Sequence, residues 1–131
     1  MTIAIEDEQL ETELQELYLT GKQWLSDTNF MENELIFLTG LVKDLPNDGQ
    51  TAFRPVMDSI KADNEKLRAG AVALMCKLQP SIIKKEVCLD RSLVDNFINL
   101  QQAAANTLKE LKSLKYRVVR TRHGLTKNLP F

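Results

Sequence analysis

The side chains that could do acid–base or metal chemistry are few and scattered. The single histidine, His123, stands in Arg120-Thr121-Arg122-His123-Gly124. No glutamate lies three or four residues away from it, so it lacks the partner that a metal site or proton relay on facing helices requires. As a cation near a helix C-terminus it suits the helix dipole instead. The carboxylates Glu32 and Glu34, or Asp58 and Asp63, fall close enough to share a surface, but nothing apolar encloses them to raise a pKa, and they read as a solvated face. The five glycines stand singly, so there is no phosphate-cradling loop and no nucleophile elbow. Cys76 and Cys88 show no Cys-x-x-Cys spacing and read as reduced, non-catalytic thiols. The expectation is a protein that is not an enzyme, with no catalytic residue, no cofactor and no metal.

Charge suggests a second chemistry. Formal net charge is −1, so any nucleic-acid binding has to be local. Lys109, Lys112, Lys115, Arg117, Arg120, Arg122 and Lys127 crowd the end of the chain against a single Glu110, whereas the first twenty residues carry six acids and no base. Each sign suits its helix terminus. Tyr116 among the bases nevertheless defines an alternative function, nucleic-acid binding, in which Lys112, Tyr116, Arg117, Arg120 and Arg122 would contact phosphates and stack a base.

The elements behind these residues are three long amphipathic helices. Leu10, Leu14, Leu17, Gly21, Trp24, Thr28, Met31, Leu35, Leu38, Val42 and Leu45 alternate spacings of four and three, which is a heptad seam. This predicts a first helix over about 6–44, ended by Leu45-Pro46-Asn47-Asp48-Gly49. A second seam from Phe53 through Met57, Ile60, Asn64, Leu67, Ala71 and Leu74 to Leu78 predicts a helix over about 51–79. Thr51 would be its N-cap and Pro55 would lie near its start, with a kink or stop at Pro80 and a further turn over 80–86. The third seam, Leu93, Phe97, Leu100, Ala104, Thr107, Leu111, Leu114 and Val118, predicts a helix over about 90–123, capped by Asp90 or Ser92 and closed by a left-handed Gly124. A tail over 124–131, with Leu125, Leu129 and Phe131, would follow.

Three heptad helices with short connections imply a single all-α domain: an elongated antiparallel three-helix bundle, up-down-up, with left-handed coiled-coil-like packing. The layout resembles a spectrin-type three-helix repeat, including a tryptophan at a seam position of the first helix. The likeness is architectural and carries no function. Polar or small residues on the seams, namely Gly21, Thr28, Asn64 and Thr107, are read as register devices, with room for a small cavity where Gly21 lies beside Trp24.

The first helix is apolar on more than its seam. Phe30, Phe37 and Leu41 lie about 100° from it on one flank, and Leu25 and Ile36 on the other. Packing on two neighbours should absorb one flank and leave the other bare, which predicts self-association, as a homodimer, or docking of a helical protein partner. Candidate interface residues are Leu25, Phe30, Ile36, Phe37 and Leu41, with Trp24 beside them. The acidic start lacks the basic stretch of a secretory signal, and the longest apolar run, over 69–76, is far short of the roughly 20 residues a membrane helix needs. The expectation is a cytoplasmic protein without a membrane partner.

Overall fold

The structure is a computed structural model that describes residues 2–84 and 91–127, with side chains described over 12–79 and 91–124. It consists of three helices and, among the described residues, no strand: α1 (Thr2–Lys43), α2 (Asn47–Lys84) and α3 (Arg91–Lys127). Contacts pair Gly21 with Met75 and Thr28 with Asn64 for α1 and α2, in opposite chain order, and Trp24 with Phe97 and Glu34 with Lys115 for α1 and α3, in the same order. α2 is therefore antiparallel to the other two, as expected for up-down-up. α1 packs most extensively on α2, and least on α3.

The seams are the core. In α1, Leu14, Trp24, Met31, Leu35, Leu38 and Val42 are buried; in α2, Phe53 through Leu78 are buried at every seam position. α3 is buried at Leu100, Thr107, Leu111, Leu114 and Val118, while Leu93, Phe97 and Ala104 are only half-buried. Burying an aliphatic side chain is worth about 1.5–3 kcal/mol. Rows of such residues along α2 hold the three helices together, since packing of an apolar face rather than propensity supplies most of a helix's stability in a protein.

The helix boundaries differ from the sequence expectation for local reasons. α1 begins at Thr2 rather than near residue 6 and ends at Lys43. Asp44 N–H and Leu45 N–H donate to the carbonyls of Leu41 and Val42, three residues back, which tightens the last turn. α2 begins at Asn47, because the Pro46 carbonyl already accepts from Gln50 N–H and Pro46 serves as N-cap. Thr51 is thus inside the helix, its hydroxyl donating to the Asn47 carbonyl, and is not the cap. Pro55 consequently lies well inside α2, at an exposed position where water can serve the carbonyl that its missing N–H leaves behind. The helix also continues through Pro80 to Lys84 instead of stopping there; the carbonyl deprived of its donor belongs to Cys76, which is exposed. α3 continues to Lys127, so Gly124 is not a left-handed cap, and it shows no positive φ. Ser92 lies inside α3. Asp90, Cys88, Leu129 and Phe131 fall outside the described residues.

The space at Gly21 is filled. A Cβ there would meet Met75 Cγ at 2.9 Å, so the glycine lets the Met75 side chain of α2 pack against the α1 backbone.

Candidate functional site: the face between α1 and α3

Two ion pairs define the groove between α1 and α3. Glu34 Oε2 lies 2.8 Å from Lys115 Nζ, and Asp44 Oδ2 lies 3.6 Å from an Arg122 guanidinium nitrogen. Residues three, four or seven positions from these partners share their flank. On α1 that places Phe30, Phe37 and Leu41 in the groove; on α3 it places Leu108 and Val119 there, and repeating the seven-residue step adds Val94 and Ile98, three heptads before Lys115 and Val119.

The α1–α3 flank is unusually apolar for a surface. Phe30, Phe37, Val94, Ile98 and Val119 are all exposed, and the two phenylalanines keep 55% and 54% of their surface. Among the described residues nine large hydrophobic side chains are exposed, and five of them lie here. Leu19 and Tyr116 point straight outward, and Ile36 and Val72 lie on the α1–α2 side. The α2–α3 side carries none; its groove is lined by Asp63, Lys66, Asn99, Asn106 and Glu110 together with the core residues Leu67 and Leu100.

Of the five interface candidates on α1, Phe30, Ile36 and Phe37 are exposed, while Leu25 and Leu41 are half-buried against the core. Neither flank is fully absorbed. Each neighbour covers the inner residue of a flank and leaves the outer one in solvent, and the two flanks do not form one surface. Trp24 is not an interface residue: it is 5% exposed, and its ring lies 5.0 Å from that of Phe97. Val94, Ile98 and Val119 are not among the sequence candidates, yet heptad spacing on α3 carries the same signal for them as the flank of α1 does for Phe30 and Phe37.

Charge divides the groove lengthwise. The α1 flank carries Glu13, Glu16, Asp27, Glu34 and Asp44 and no base; the α3 flank carries Lys112, Lys115 and Arg122 and no acid. One wall is acidic, the other basic, with the apolar row between them.

The five phosphate-contact candidates do not converge. Lys112 and Arg122 lie on the α1 side of α3, Tyr116 faces outward, and Arg117 and Arg120, three residues apart, lie on the α2 side; of these, Arg117 reaches the core. There its guanidinium carbon is 5.5 Å from the Phe53 ring centroid and covers the end of the core. Arg122 is engaged with Asp44. Glu32 and Glu34, candidates for a shared carboxylate face, are separated: Glu32 pairs with Arg68 on the α1–α2 side at 2.9 Å, and Glu34 pairs with Lys115. Among the described residues no group of three or more His, Cys, Asp or Glu side chains could hold a metal ion. No described helix is long and apolar enough to cross a membrane.

The chain matches no protein family model, no curated protein and no solved structure.

Proposed function

We propose that this protein acts without catalysis, as a helical bundle that associates with another helix through the face between α1 and α3. One observation carries the reading: five of the nine exposed large hydrophobics of the described residues gather on this face, and none on the α2–α3 side. Removing apolar surface from water is worth roughly 25 cal/mol per Å². A lengthwise row of partly exposed Phe, Val and Ile side chains therefore favours a fourth helix laid along the groove, which would complete a bundle of four. The acidic and basic walls would orient that helix. The same reading includes the cytoplasm as the working compartment, in keeping with two cysteines that show no disulfide spacing.

Photo-crosslinking in the native cell tests this. A photoreactive phenylalanine analogue at position 37 captures a protein, whether a second copy or another chain, and the same group at position 66, on the α2–α3 side, does not. Equal capture from both positions, or none from position 37, overturns the reading.

A further inference from the structure

Resting on that docking role, we infer that the occupant of the α1–α3 face is a second copy of this chain, related by a twofold axis parallel to the bundle, so that α1 of each copy lies along α3 of the other. The argument is one of charge and symmetry. A closed pair of identical chains uses the same face twice, and two axes can lay this face on itself. An axis across the bundle turns the second copy end for end and sets α1 on α1 and α3 on α3. Glu13, Glu16, Asp27, Glu34 and Asp44 would then meet only their own kind, and Lys112, Lys115 and Arg122 only theirs. An axis along the bundle keeps all helices parallel and exchanges left for right, so each acidic wall meets a basic one. Apposed like charges oppose association and select against the wrong arrangement, while opposite charges fix the right one.

The same symmetry sets the register. Rotation about an axis parallel to the helices shifts nothing along them, so residues level within one copy are level across the pair. Glu34 is level with Lys115, and Asp44 with Arg122, in the same chain. Both acids therefore come level with the second copy's Lys115 and Arg122 as well. The offset that these pairs define brings Phe37 to the second copy's Tyr116 and Val119, and Phe30 to its Leu108 and Lys112. The two exposed phenylalanines on the α1 side of this face thus come level with Leu108 and Val119 of the second copy without any further adjustment.

Charge exchange distinguishes the arrangements. One variant carries Glu34→Lys and Asp44→Lys, the other Lys115→Glu and Arg122→Glu, and their masses are measured by light scattering separately and mixed in equal amounts at low salt. Wild type should have the mass of two chains, each variant alone that of one, and the mixture that of two again, because only the mixed pair sets opposite signs on both contacts. Variants that each remain paired like wild type would indicate α1 on α1 and overturn the arrangement; so would a mixture that stays single. A wild-type chain that remains single overturns the second copy as occupant, and crosslinks from position 37 to a different protein would then leave the docking role standing. A second measurement keeps the native charges, should a double variant fail to fold. Chains with Phe37→Cys are mixed with chains with Val119→Cys under mild oxidation, and a disulfide between positions 37 and 119 is intermolecular by construction. Its absence overturns the proposed register.

Discussion

Asn64, at the middle of the α2 seam, donates from Nδ2 to the Thr28 carbonyl of α1 across 3.0 Å. Both residues are buried, at 4% and 0% exposure, and they are polar positions of two facing seams. Arg68, one turn further along α2, donates from Nε to Thr28 Oγ1 at 3.2 Å and from a terminal nitrogen to Asn29 and Glu32. Together they tie α2 to α1 at one level. The tie is imperfect, because Asn64 Oδ1 is buried without a hydrogen-bond partner among the described residues.

That imperfection predicts the sign of a substitution. Asn64→Leu loses one hydrogen bond worth about 1 kcal/mol, while the Thr28 carbonyl remains in its own helical ladder. It also removes an unsatisfied buried oxygen, which costs about 1–3 kcal/mol, and adds apolar burial of comparable size. Thermal or urea unfolding should therefore show Asn64→Leu at least as stable as wild type. A loss above about 1 kcal/mol would mean that the hydrogen bond outweighs both gains. The function left to Asn64 is alignment, as for a single polar residue at a coiled-coil seam.

Glycine positions divide in the same way. Gly40 is helical and exposed, and a Cβ there meets nothing within 4 Å, so Gly40→Ala should stabilise by about 0.5–1 kcal/mol through helix propensity alone. At Gly70 the added Cβ would lie 2.5 Å from Leu100 Cδ2 of α3. Gly70→Ala has the same propensity gain but must displace a core leucine, so its midpoint in denaturant should fall below that of Gly40→Ala. Equal stabilisation at both sites would show that Leu100 moves without cost.

The core was legible in the sequence almost position by position, because heptad spacing on three helices leaves one consistent inside. What could not be read was how far the neighbours reach around each helix. Leu41 and Phe37 occupy one flank of α1, yet only Leu41 is packed against the core, since that depends on the distance to α3. The end of α1 was located from Pro46, but not the way its carbonyls are served: Gln50 Nε2 donates to the carbonyls of Lys43 and Leu45 at 3.1 and 2.8 Å from the first turn of α2. A glutamine in that role has no spacing signature of the kind a capping box has. Thr51 was the better cap by composition, and the position of Pro46 overrode it.

Leu38 and Phe37 are chain neighbours with opposite roles. Leu38 is fully buried and Phe37 is 54% exposed. Leu38→Ala should cost about 2–5 kcal/mol by removing packed methyl groups and leaving a cavity. Phe37→Glu should change the stability of the single chain by no more than about 0.5 kcal/mol, as surface substitutions do, while abolishing association. Circular dichroism melts checked against solution mass separate the two effects. A Phe37→Glu chain that unfolds would place Phe37 in the core and remove it from the docking surface.

Arg117 provides the test of the basic end of α3. Its guanidinium lies over the Phe53 ring, and a cation over an aromatic face contributes about 0.5–1 kcal/mol at an exposed site. Arg117→Ala should lower stability by about that amount. The remaining candidates for phosphate contact are spread around α3, and several neutralised phosphates on one continuous track are what give nucleic-acid binding its steep salt dependence. Wild-type protein should accordingly produce no retardation of single-stranded DNA or RNA that weakens with salt. Retardation that fades between 50 and 200 mM salt, and that disappears when Arg117 and Arg120 are both changed to Glu, would show that these two bases act together after all. Arg117 would then be a binding residue as well as a cover for the core.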